Sequence, residues 1–158
     1  MYSLYAILGR SNDLERKPRS FDSARYVRLG GALSMIPLAE SLVSEIQALG
    51  GSGGARDAGT FEFLSPGVEA WTRALSADTA IAYVETEYFA GEGFERAGVW
   101  SDGKLALGPL DGAGSINRAL RALGVQPAPG IEPFELVGLG RHRSLEDWLQ
   151  DAGEPGSV

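Results

Sequence analysis

Glu85 and Glu87 stand two residues apart in the run TAIAYVETEYF, residues 79–89. In a strand, side chains alternate, so both carboxylates leave the same face about 7 Å apart. A pair at that separation can divide the roles of general acid and general base, or share a divalent cation. Glu92 and Glu95 follow closely. His142 is the single histidine of the chain, and an imidazole titrates near neutrality and can act as a base. Arg141 and Arg143 on either side oppose its protonation, while Glu146 and Asp147 favour it. Glu85, Glu87 and His142 therefore form the candidate catalytic set of a small hydrolase or metal-dependent enzyme. No HExxH, HxH or DxD pattern accompanies them, so no residue is assigned as a metal ligand and no cofactor is implied.

The same carboxylates have two other uses. They can form a solvated strand end, or pair with Arg96, Arg141 or Arg143. They can also form an acidic patch for a partner protein, since aromatic rings lie beside them. Rings then act as anchors and acids steer a basic partner. The candidate partner-binding set is Glu85, Glu87, Tyr88, Phe89, Glu92, Glu95 and Trp100. Core packing competes for the rings, above all for Trp100.

Positioning these residues requires a sheet. Ile81 and Tyr83 share one face of the first strand, and Ala82 and Val84 share the other. Residues 94–100 and 104–107 read as the next two strands. Asp102-Gly103 lies between them, where a tight hairpin needs positive φ. Gly91 and Gly93 interrupt the chain before the second strand. Tyr2–Leu8 is a further strand, apolar on both faces. Pro37–Leu49 is a helix from the spacing of Leu38, Leu42, Ile46 and Leu49, with Pro37 in its first turn. Ser65-Pro66 opens a second helix and Ser115 caps a third. Ser144-Leu145-Glu146-Asp147 has capping-box spacing for a fourth, with Trp148 on its apolar side. Residues 61–64 are a short strand or an extended lead-in, and 134–139 an edge strand. Residues 10–28, with five of the chain's bases beyond Arg10, read as a long mobile loop, and GGSGGARDAG as a flexible linker. The expected architecture is α+β: an antiparallel or mixed central sheet of four to six strands, with helices packed mainly on one face. Residues 1–151 form one domain and residues 152–158 a frayed tail.

Bulk composition narrows the function classes. A chain of 158 residues is long enough for one domain with a substantial core. Formal net charge is −7, which opposes nonspecific binding to nucleic acid or to an anionic membrane. Residues 1–50 carry six bases and five acids, and residues 51–158 eight bases and sixteen acids, so the acidity belongs to the half built on the sheet. There is no cysteine, which excludes disulfides, thiolate catalysis and cysteine-ligated metal. The start, MYSLYAILGR, lacks the basic region of a signal peptide, and no run approaches the length of a membrane span. A cytoplasmic location is the expectation.

The segments YVETEYFAGEG and AGVW, followed by GLGRHRSLEDW, resemble a group of small, largely uncharacterised bacterial proteins over residues 79–149. In size, acidity and general build the chain is similar to immunity proteins of bacterial toxin systems. That resemblance implies a protein that binds and neutralises a cognate toxin by blocking its active site or its folding, with no catalytic residues to carry over. The leading expectation is a toxin-neutralising binding module. The alternatives are the small enzyme on Glu85, Glu87 and His142, and a structural or dimerising accessory protein.

Overall fold

The computed structural model describes residues 1–18, 20–49, 61–126 and 128–152. The fold is α+β, built on a six-stranded, wholly antiparallel sheet. In chain order the elements are β1 (Tyr2–Arg10), α1 (Ser11–Leu14), β2 (Val27–Arg28), β3 (Leu33–Pro37), α2 (Glu40–Ala48), α3 (Pro66–Leu75), β4 (Ile81–Phe89), β5 (Glu92–Ser101), β6 (Lys104–Asp111), α4 (Ser115–Ala122), α5 (Pro133–Val137) and α6 (Leu145–Ala152). The sheet order is β2-β3-β1-β4-β5-β6. Among the described residues no helix is long and apolar enough to cross a membrane.

Both faces of the central strands are apolar because both are covered. Leu4, Ala6, Leu8, Ala82 and Val84 pack with Ile116, Leu120, Leu123, Val137 and Trp148 of α4, α5 and α6. Ile7, Ile81 and Tyr83 point the other way, into a second core with Leu42, Ile46, Val68 and Trp71 of α2 and α3. The expected layer of helices is thus α4–α6, and α2 with α3 add a third layer. Covering both faces is what lets β1 read as a continuous apolar run.

Local signals hold where they are strongest. The Ser65 hydroxyl accepts from Val68 N at 3.2 Å, with Pro66 at the first position of α3. Ser144 accepts from Asp147 N at 3.3 Å at the start of α6. Asp102 and Gly103 have φ of 54° and 74°, the two left-handed residues of a tight hairpin turn. Ala90 and Gly91 repeat that turn between β4 and β5, with φ of 52° and 83°. Gly93 is not a breaker but part of β5, where an added Cβ would meet the Glu87 carbonyl at 1.8 Å.

Tertiary pairing overrides other expectations. Pro37 does not open a helix. It is the last residue of β3, opposite Ala6, and α2 starts at Glu40. The run Leu33–Pro37 buries every side chain, and its pairing with β1 outweighs the helical spacing that continues beyond it. Leu49, expected in the apolar stripe, is exposed. Residues 134–139 are not an edge strand. Pro133 opens α5 and Gly138, at φ 87°, closes it. Ser115 is not a cap: it lies in α4 and its hydroxyl donates to Gly112 O at 2.6 Å. Residues 61–64 are a lead-in that joins no strand, with Phe61 and Leu64 buried. The stretch 10–28 holds α1 and β2 and is anchored by buried Leu14, Ala24 and Val27. Asp22 N and Ser23 N donate to the Glu45 carboxylate at 2.8 Å each. The linker expected at 50–60 and the tail beyond Ala152 lie outside the described residues.

Glu15 ties α1 to β2 and β3 by accepting from Arg28 and from the Ser34 hydroxyl, the latter at 2.7 Å. Burial favours its neutral form, but the bonds from Arg28 and Ser34 outweigh it and hold the carboxyl below its ordinary value of 4.5. A depressed folded pKa contributes stability above the unfolded value and loses it as pH falls through the folded one. The expected outcome is that Glu15→Gln destabilises the protein at pH 7 and that its deficit shrinks steadily below about pH 4.5. Urea melts of both proteins across this range measure it. A deficit independent of pH would show that the contact is steric.

Candidate functional site

The β4–β5 hairpin sorts the sequence-predicted residues by face. Directly opposed residues share a face in an antiparallel pair. Glu85 lies opposite Arg96, Glu87 opposite Phe94 and Phe89 opposite Glu92, all on the α2–α3 side. Thr86 lies opposite Glu95, and Tyr88 continues that row on the α4–α6 side. The four glutamates therefore do not form one cluster.

Glu85 is fully buried, at 0% exposure. Phe61 packs edge-on against Tyr83 with ring centroids 5.2 Å apart, and this brings the next two backbone amides onto the carboxylate. Glu62 N donates at 3.0 Å and Phe63 N at 3.2 Å. The Tyr83 hydroxyl donates at 2.7 Å and Arg96 Nη1 at 3.0 Å. Four donors, one of them a cation, satisfy a charge that would otherwise be costly to bury. Arg96 also reaches Glu62 at 3.6 Å and Asp111 at 3.5 Å, and its guanidinium lies 4.5 Å from the Phe94 ring centre. Trp100 is likewise wholly buried, beside Phe61 in the same core. Neither Glu85 nor Trp100 presents surface to a partner; both hold the hairpin in place.

On the outer part of this face, Glu87 is half-buried and Glu92 exposed. Among the described residues no ion pair or side-chain hydrogen bond engages either one. Phe89 is 67% exposed and Phe63 50%. Phe63 stacks on Phe94 at 5.9 Å and tilts against Tyr5 at 5.0 Å. A groove of about 350 Å³ continues from Tyr5 and Phe63 to Val43 and Gln47 of α2.

Tyr88 and Glu95 line a larger cleft, of about 630 Å³, on the opposite face. Glu95 accepts from Ile116 N at 2.8 Å and so caps α4, placing its charge at the positive end of the helix. Its other oxygen is 3.4 Å from the Tyr88 hydroxyl. Burial and then the Glu95 charge push the Tyr88 hydroxyl above its ordinary pKa, and the same two causes raise that of Tyr2 further. Tyr2 donates to Leu139 O at 2.7 Å, and Phe134 N donates to Asn117 Oδ1 at 2.8 Å.

His142 belongs elsewhere. Its Nε2 is 2.8 Å from Asp151, and its ring stands edge-on to buried Trp148 at 4.7 Å. Arg141 joins Asp151 at 3.0 Å, so both side chains clamp α6. Trp148 packs in the core on the α4–α6 side, whereas Glu85 and Glu87 project from the other face. The sheet stands between His142 and these carboxylates, and the three do not converge. Among the described residues, no group of three or more His, Cys, Asp or Glu side chains is placed to hold a metal ion. None of the family models, curated proteins or solved structures compared with the chain matches it.

Sequence reasoning missed Phe63 and Phe94 on one face, and Tyr2, Asn117 and Phe134 around the cleft. The residues of each set lie far apart in the chain, and only the strand register brings them together. Phe94 alone carried a local signal, its place opposite Glu87 once the turn at Ala90-Gly91 is known. Glu85→Gln is expected to cost about 3 kcal/mol, because it removes the buried charge closest to Arg96 and weakens four hydrogen bonds. Glu92→Gln is expected to change stability by less than about 0.5 kcal/mol. Urea melts compare them, and equal costs would contradict the assignment of one carboxylate to the core and the other to the surface.

Proposed function

We propose that the protein binds another protein through the exposed side of the β4–β5 hairpin, and that it acts as an immunity protein that neutralises a basic toxin in the bacterial cytoplasm. The observation that carries this reading is the pairing of two unneutralised carboxylates, Glu87 and Glu92, with exposed aromatic rings, Phe89 and Phe63, on one side of a rigid hairpin. Aromatic anchors supply most of the binding energy at such surfaces, and charges steer the encounter. A net charge of −7 favours a basic partner. The toxin part of the reading rests on the resemblance to immunity proteins in size, acidity and build.

Purification of the native complex from the source cell tests this. The expected result is a basic protein recovered at near-equal amount. With that partner in hand, Phe89→Ala is expected to speed dissociation about tenfold or more. Glu87→Gln with Glu92→Gln is expected to slow association and flatten its salt dependence, with a smaller effect on dissociation. A homodimer in sedimentation with no second protein would favour a dimerising accessory role and overturn the proposal.

A further inference from the structure

The cleft on the far side of the hairpin stands apart from the partner-facing surface. Its volume of about 630 Å³ falls in the range of pockets that enclose small molecules, roughly 300–1,000 Å³. Tyr2, Thr86 and Tyr88 form its floor, Asn117 of α4 and Phe134 of α5 its sides. The carboxylates that face it come from three separate places: Glu95 on β5, Glu132 before α5, and Glu135 within α5. Glu132 is shared with Asn117 and Arg121. Glu95 spends one oxygen on the α4 amide and keeps the other against Tyr88 alone. Glu135 has no side-chain partner among the described residues. The opposing cations, Arg143 and the Met1 amine, lie on the β1 side, where Ser3 N donates to Arg143 O.

We infer that this cleft binds a guanidinium or primary ammonium group on a short apolar stem, with the charge held at Glu95 and the stem against Tyr88 and Phe134. Ring faces attract a cation and also cover methylenes. Carboxylates make charge-assisted hydrogen bonds to such a head, bidentate for guanidinium. An anion meets Glu95, Glu132 and Glu135 together, and a neutral ligand leaves them unmatched.

Titration calorimetry with N-acetylarginine amide and N-acetylcitrulline amide tests the charge, because the two differ little in shape. Agmatine serves as a third probe, for a free small molecule rather than a peptide side chain. The expected result is binding of the arginine compound at least about tenfold tighter than of the citrulline compound. Binding of agmatine alone points to a free amine as the source and still supports the cationic site. Glu135→Gln and Tyr88→Ala, neither of which caps a helix, are each expected to weaken binding severalfold with the fold intact by circular dichroism. Saturating ligand is also expected to lower the titration midpoint of Tyr88, followed by tyrosinate absorbance against Tyr88→Phe. Equal binding of the arginine and citrulline compounds, or none by any of the three probes, would overturn the inference. Recovery of the protein partner is unaffected by that outcome.

Discussion

The buried carboxylate of Glu85 is where three parts of the chain meet. Residues 61–63 supply backbone amides, β4 supplies the Tyr83 hydroxyl and β5 supplies Arg96. Each partner alone would be a weak reason to bury a charge; together they satisfy it. The arrangement also fixes register. A slip of one residue in β4 would carry Glu85 to the opposite face, into the apolar layer of Val84 and Ile116, with no cation opposite. The carboxylate thus specifies which face of β4 meets α2–α3 and, through that choice, which side of the hairpin carries Glu87 and Phe89.

Covering the sheet on both faces leaves the hairpin end as the place where its aromatic and acidic residues reach solvent. Toward Ile81 and Trp100 the two strands are buried on both sides; toward Phe89 and Glu92 they run past the helices. The tight turn at Ala90-Gly91 and the close approach of Gly93 to the Glu87 carbonyl keep that projecting end in register. The result is a rigid element with two different sides. One presents uncompensated acids and open rings. The other forms the floor of a cleft whose walls are α4 and α5. A rigid presentation lowers the ordering cost of association, which would favour rings on this hairpin over the same rings on a loop as the binding surface proposed above.

The histidine segment has a separate role in this architecture. Arg141 and His142 converge on Asp151 and flank Trp148, which seats α6 across the face that α4 and α5 cover. A residue type associated with catalysis is here used for packing. Its nearest chemistry is a hydrogen bond to Asp151 near the end of a short helix, on the other side of the sheet from Glu85.

What the sequence by itself determined was local. Ser65-Pro66, the Ser144 cap, Asp102-Gly103 and the alternation through Tyr83 each act within a few residues, and each stands in the structure as read. The α+β class and a central sheet of four to six strands followed from those signals, with antiparallel and mixed pairing both left open. The tertiary structure decided the rest because long-range pairing competes with local preference. Leu33–Pro37 carries no alternation, and only its pairing with β1 and β2 makes it a strand. Ser115 looked like a cap, but it sits inside α4, and the first-turn amide of Ile116 is capped by Glu95 from a different strand. Five candidate surface residues remained at or near the surface, while Glu85 and Trp100 went inside. A carboxylate in sequence carries the same charge whether exposed or buried. Its environment is set by which distant donors the fold delivers to it, and that depends on strand order and register.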